Sequence, residues 1–252
     1  MAEELEHSLL TARGLIAWRG GAPAAVPESV ILTHQESLVR ALAPRFRTGR
    51  IAGLFPQLRV LPGTGGRAAL AGRIGLGGPA TAMAVEELAA AGVQRIVMVD
   101  VAASINDGLA EGDLLVVEDA VAADGTSRHY LPLGTELTSG DAGLFARLLA
   151  ALQHFDRARD QKLTSHGRVA STDAPFRETA TLLESFRDQK AGLVDMETAA
   201  LFASAAALGV EAASLLVVGD RLLDAWHPPV HRRALQARLV EVADVAKGVL
   251  LQ

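Results

Sequence analysis

Asp195-Met196-Glu197 places two acids around a methionine, directly after the apolar residues 191–194 and directly before the small apolar run that begins at Ala199. Acids at the start of a helix are favoured by its dipole and its unpaired N–H groups, so capping accounts for one of the two. The carboxyl end of a buried strand is also where open α/β sheets hold ligands. Asp220 raises the same question, because it ends the apolar run 215–219. Partial desolvation of such an acid moves its pKa toward the range useful for proton exchange with a substrate. The alternative is a turn cap or a pair with Arg221. Gly75-Leu76-Gly77-Gly78-Pro79 offers backbone N–H groups at the start of a helix, where an anion could sit. A tight turn explains Gly75, Gly77 and Gly78 equally well, and the motif lacks the P-loop Lys and the third spaced Gly of the dinucleotide pattern. Residues 124–130 form a polar cluster in which His129 and Tyr130 are either ligand contacts or structural. The seven histidines show no metal-ligand spacing. Trp226-His227-Pro228-Pro229 reads as a rigid loop that covers a pocket.

The elements that must position these groups follow from the hydrophobic pattern. Val30-Ile31-Leu32-Thr33 and residues 68–74 read as strands, with a helical stretch at 36–46 between them and a Gly/Pro-rich connection at 47–66. A helix over 80–91 opens at Pro79 and stops at Gly92. Residues 94–103 are apolar on both faces, as in a sheet covered by helices on each side. Further strands are predicted at 114–117, 168–171, 191–194 and 213–219. Helices are predicted at 140–154, 195–208 and 230–250, the last with Leu235, Leu239, Val242 and Val245 at helical spacing. The alternation predicts an α/β fold: a single-domain α/β/α sandwich with a mixed, strongly twisted central sheet. Residues 1–29, with a helix-like stretch at 3–18, read as an arm, and 30–252 as the domain.

The 252 residues are 50% hydrophobic and 21% charged, the balance of a globular chain. A formal net charge of -5 argues against a phosphate-backbone binder, so no nucleic-acid partner is expected. With no cysteine there is no disulfide, thiol nucleophile or thiolate metal ligand. No uncharged apolar run approaches the ~20 residues of a membrane span. The N-terminus carries acids where a secretory leader would be basic. A cytoplasmic location and no membrane partner are the expectation.

Taken in order, the motifs resemble the nucleoside phosphorylase family, which includes uridine phosphorylase, hexameric purine nucleoside phosphorylase and methylthioadenosine nucleosidases. The stretch from Gly75 to Leu88 resembles the uridine phosphorylase turn and helix. Gly112-Asp113 with the strand after it, Asp124-Gly-Thr-Ser, Ser171-Thr-Asp-Ala, Val194-Asp195-Met196-Glu197 and Val218-Gly219-Asp220 are similar to later family motifs. The resemblance implies cleavage of an N-glycosidic bond. In it Glu197 accepts hydrogen bonds from the ribose hydroxyls, Met196 packs under the sugar, and Asp220 acts as the acid toward the base. Asp173 and Phe176 would stand on the base side. No organic cofactor is implied, with phosphate a candidate co-substrate. The partners implied are a nucleoside or nucleobase and further copies of the chain, as a homodimer or homohexamer.

The chain departs from the family's phosphate site. Leu38 falls where the first phosphate Arg belongs, Met98 where the second belongs, and Asp100 replaces a glycine of the turn. Asp100 would repel an anion. Leu61 falls near the position of the partner-subunit Arg. Arg59, Arg67, Arg128 and Arg177 are the cations available to build another phosphate site. Leu38 also replaces the nucleosidase Glu that activates water, with Glu36 two residues earlier. Pro175 takes the place of a stacking Phe, beside Phe176. Three readings follow: a phosphorylase, a phosphate-independent nucleosidase, or a nucleoside-binding homologue without turnover.

Overall fold

The computed structural model describes residues 8–21, 25–46 and 50–252. The chain begins with helix α1 (Ala12–Trp18) and strand β1 (Ser29–Leu32), then α2 (Glu36–Leu42), β2 (Arg50–Ile51), β3 (Gln57–Val60) and β4 (Ala68–Gly72). Helix α3 (Gly78–Ala90), β5 (Arg95–Ser104), β6 (Leu114–Ala122), β7 (Leu137–Ser139), α4 (Ala142–Ala158) and β8 (Ser165–Ser171) follow. The last third holds α5 (Ala180–Asp188), β9 (Ala191–Asp195), α6 (Thr198–Leu208), β10 (Glu211–Leu222), β11 (Trp226–His227) and α7 (Arg232–Leu250).

The mixed sheet forks at β5. The first residues of β5 pair with β1 in parallel, and its end, Ala103 and Ser104, pairs antiparallel with β9. Its other edge runs parallel to β10 from Arg95 to Ser104. β10 pairs with β6, β6 with β8 and β8 with β9, so five strands close a ring, while β1, β4, β3 and β2 extend as an open wing. Closing a ring of so few strands requires strong twist and tilt.

Helices cover both faces, as the apolar runs require. In β5, Ile96 and Met98 face the core built with α3 and α6, while Val97 and Val99 face the core built with α4 and α7. The α/β/α sandwich expected from the sequence is the fold observed. Ile16 of α1 joins the α3 side, and Arg19 pairs with the buried Glu87 of α3 at 2.8 Å. Part of the helix expected at 3–18 lies outside the described residues. Within them the helix starts only after Thr11, whose hydroxyl accepts from the Gly14 N–H.

Several elements run beyond the sequence reading. The Gly/Pro-rich stretch 47–66 contains β3, whose Leu58 is fully buried. β6 continues through Glu118 and Asp119 because Asp119 meets Arg168 on the neighbouring strand with both carboxylate oxygens. That pair lets a charged dipeptide remain in a ladder. The amphipathic α5 was not anticipated: it buries only Leu183 and Phe186. Among the described residues no helix is long and apolar enough to cross a membrane.

Candidate functional site

A cavity of about 530 Å³ opens where the forked strands end. It is bounded by the loop after β1, the ends of β5, β9 and β10, and the segment before α5. Met196, Glu197 and Asp220, singled out in the sequence, line it together, with Phe176 at its mouth.

The two acids around Met196 divide the work that sequence reasoning left open. Asp195 performs the capping. Its Oδ2 accepts from the Thr198 N–H at 3.0 Å and from the Thr198 hydroxyl, and its Oδ1 accepts from Ser171 Oγ at 2.5 Å. Glu197 sits at the N-terminal boundary of α6 without making a side-chain cap. Its carboxylate instead accepts from the Gly77 N–H at 2.8 Å and the Met196 N–H at 3.1 Å. Burial, and then the neighbouring Asp195, push the Glu197 carboxyl up to about 7, against a downward pull from His34. Burial also raises the Asp195 pKa, although the Ser171 and Thr198 hydrogen bonds partly oppose it.

The glycine turn therefore holds a carboxylate of its own chain. Gly77 adopts φ +87, a left-handed conformation that brings its N–H toward Glu197. Gly78 packs against Asp124 and Thr126, and Leu76 faces the cavity.

Asp220 reaches the cavity through a β-bulge. The register of β10 against β5 shifts between Val218 and Asp220, which re-aims the side chain. Trp226, on the short strand β11 that folds back on β10, donates its indole N–H to Asp220 at 2.7 Å. Asp173 lies outside the lining and accepts from the Gly125 N–H at 2.7 Å. Phe176 is 99% exposed.

Three lining residues were not assigned a role from the sequence. Glu178, just past the turn that carries Phe176, is half-buried, and burial plus the nearby Asp220 charge push it up to about 7. No local pattern marks it, since it is one acid in an exposed loop. His34 and Gln35 follow β1, and both bond to Asp100. Their signal was positional: polar residues at the carboxyl end of a buried parallel strand. The His34 ring lies 2.8 Å from Asp100 through Nδ1 and 3.0 Å from Thr81 through Nε2. Burial alone would lower its pKa, but the Asp100 hydrogen bond and charge, together with the charges of Glu197 and Asp195, raise it.

The positions matched to the family's phosphate site fall in different places. Leu38 is fully buried in the core beside α7, and Met98 in the core beside α3, so neither faces the cavity. Asp100 does face it. Arg59, Arg67, Arg128 and Arg177 are absent from the lining: Arg59 lies over the Phe46 ring at 5.6 Å, and Arg67 donates to the Leu251 carbonyl. Glu36 pairs with Arg73 at 3.1 Å, also away from the lining. Among the described residues, no Lys or Arg lines this cavity, whereas five acids do: Asp220 lies close enough to Glu178 to act on its charge, and Asp195 and Asp100 close enough to Glu197 to act on its. Also among the described residues, no cluster of acids and histidines has the form of a metal site.

This architecture has close counterparts among known proteins. The uridine phosphorylase of Vibrio fischeri superposes with a TM-score of 0.75 at 21% identity, covering 97% of this chain and 99% of that one. An AMP nucleosidase from Bacteroides thetaiotaomicron superposes with a TM-score of 0.71 at 17% identity, over 93% and 98%. At this identity the likeness is one of fold. In sequence, the uridine phosphorylase of Thermococcus kodakarensis is 28% identical over 158 residues, which is 57% of this chain and 54% of that protein. The guanosine phosphorylase of Halorubrum lacusprofundi is 27% identical over 150 residues, 59% of each chain. The chain thus spans little more than half the length of the curated relatives it matches. The model of the phosphorylase superfamily matches residues 38–252, which takes in every strand and helix that lines the cavity except the end of β1, and the chain belongs to that superfamily.

Proposed function

We propose that this chain cleaves the N-glycosidic bond of a nucleoside and passes the sugar to water. One observation carries the reading: Met196, Glu197, Asp220 and Glu178 converge on a cavity that no Lys or Arg of the described residues lines. An oxocarbenium-like transition state is positive at the sugar and negative at the leaving base. Carboxylates at the sugar end favour the first, and a protonated carboxyl at the base end favours the second. In this reading ionised Glu197 accepts the ribose hydroxyls over Met196. The C1′–N bond breaks with its electron pair on the base nitrogen, which takes a proton from the Glu178–Asp220 pair. Water oxygen bonds to C1′, and the proton it sheds returns to a carboxylate of the same cavity. None of these steps calls for an organic cofactor.

The second reading is phosphate-dependent transfer, favoured by the relatives named uridine and guanosine phosphorylase. It requires cations from outside the described lining, such as a neighbouring copy of the chain. Leu76, Phe176 and Trp226 are large apolar residues at the cavity rim and are 68%, 99% and 62% exposed, which supports a homodimer or larger ring with a neighbour over the mouth. Residues 30–252 would form the catalytic unit, with 1–29 as an arm, in the cytoplasm. A panel of purine and pyrimidine nucleosides, assayed with and without phosphate, tests the reading. Base release that is independent of phosphate supports hydrolysis. Strict phosphate dependence supports transfer, and binding without release rejects both.

A further inference from the structure

Asp100 is an unusual residue to find in the wall of this cavity. Its side chain is 3% exposed and, among the described residues, no Lys or Arg pairs with it. Its Oδ2 accepts from the His34 backbone N–H at 2.8 Å and lies 2.8 Å from His34 Nδ1. Its Oδ1 accepts from the Gln35 side-chain amide at 2.7 Å and from the Val101 N–H at 3.0 Å. Burying a carboxylate is costly unless donors replace its water. Here four do, two from backbone and two from side chains, carried on the ends of the adjacent strands β1 and β5. The arrangement is rigid behind the donors as well: the far nitrogen of His34 meets Thr81, whose hydroxyl lies 3.1 Å from the Gly77 carbonyl. Backbone and side-chain donors that converge from packed elements onto two oxygens are the equipment of an oxyanion site.

We propose that this corner of the cavity is an anion cradle filled by the chain's own Asp100 carboxylate, and that Asp100 thereby decides which acceptor can reach the sugar. A tetrahedral oxyanion such as inorganic phosphate would have to displace a tethered carboxylate from its donors and meet its charge. Water faces neither obstacle. The inference deepens the hydrolytic reading of the same cavity, with the bond changes given above, and Asp100 acts in it as a specificity residue. Gly77 offers a parallel, since its N–H is likewise taken up by an internal carboxylate, that of Glu197.

The test is calorimetric titration of inorganic phosphate into the wild type, Asp100→Ala and Asp100→Ser, at constant ionic strength and with chloride as control. The wild type should show no saturable binding at millimolar phosphate. The variants should gain saturable binding and a phosphate-dependent rise in Tm. Their affinity should exceed the wild type's by roughly tenfold or more, the size of one charge-assisted hydrogen bond. Folded variants that ignore phosphate would overturn the proposal, as would saturable phosphate binding by the wild type. If neither variant folds, the wild-type titration decides alone. Nucleoside cleavage is scored separately. A variant that gains phosphate binding on a protein that cleaves no nucleoside leaves the cradle standing and removes the cleavage reading. Phosphate-independent cleavage with phosphate-blind variants does the reverse.

Discussion

Burial, and then Asp195, push the Glu197 carboxyl up to about 7 against the pull of His34, so in the proposed role it accepts the sugar hydroxyls as a carboxylate only once pH carries it through that value. Charge-assisted hydrogen bonds to two sugar hydroxyls would each be worth ~1.5–3 kcal/mol. Glu197→Gln should therefore lower kcat/KM on the order of tenfold to several-hundredfold, and less for substrates that lack a 2′-hydroxyl. Asp220→Asn should lower kcat with little change in binding, and more for purines than for nucleosides whose leaving groups need no proton. If both variants kept the wild-type kcat/KM, the site assignment would fall. Glu178 also sits near 7, raised by burial and by Asp220. If Glu197 works ionised and Glu178 protonated, kcat/KM should rise with pH as Glu197 ionises and fall as Glu178 does, a narrow bell centred near 7. Glu178→Gln should remove the alkaline fall and leave the acid limb. A profile without an alkaline fall in the wild type would take the acid role from Glu178.

At the level of elements, the site depends on where strands stop and what the following turn does. Gly77 reaches Glu197 from φ +87 and ψ 168, a backbone region that is essentially glycine's alone and that an alanine enters only with strain on the order of 1–3 kcal/mol. A Cβ there would meet Pro79 Cδ at 3.8 Å and Met196 Cε at 3.9 Å, ordinary contact distances, so the cost is backbone strain alone and Gly77→Ala should fold. The strained turn should nevertheless draw its N–H away from Glu197 and reduce kcat/KM, an effect visible in kinetics beyond what melting curves show. Gly140 provides the contrast. A Cβ there would lie 2.5 Å from the Ala212 carbonyl oxygen and 2.9 Å from the Phe202 ring, neither of which lines the cavity. Gly140→Ala should cost roughly 1–3 kcal/mol in denaturation, as overpacking does, and leave kcat unchanged in the folded fraction.

The whole molecule carries an imbalance set by its cavity. Glu197 and Glu178 both have folded pKa values near 7, above the ordinary 4.5, and His34 is raised above 6.5. For each, the stabilising contribution is complete below the unfolded pKa and is lost as pH rises through the folded one. Stability by urea denaturation should therefore decline between about pH 5 and pH 8, on the order of 1–3 kcal/mol, most of it from Glu197. Glu197→Gln should flatten the decline, and an unchanged slope in that variant would assign it elsewhere. The exposed apolar rim residues also lead to an expectation about assembly. Sedimentation should show a dimer or larger species at micromolar concentration, and a stable monomer would leave the cavity mouth uncovered.

Much of this molecule was determined by its sequence. Near-continuous apolar runs marked strands buried on both faces, and the helical periods between them supplied the cover, which gives the α/β/α order. Asp195, Met196, Glu197 and Asp220 stood out because acids at the ends of such strands have few structural reasons to be there. The tertiary structure decided what each does. The capping role of Asp195 and the cavity role of Glu197 depend on which way one irregular residue turns after β9, and local pattern does not encode that direction. The closure of five strands into a ring brings β10 beside β5 and β6 across 90 residues or more of chain. Glu178 and Asp220 become neighbours only through that closure. Leu38 and Met98 matched phosphate positions by alignment, yet both face the core, because side-chain direction is set by packing rather than by order along the chain. Asp100 was legible as a charge that would repel an anion. That it takes the anion's place among four donors emerges only when β1 and β5 lie side by side.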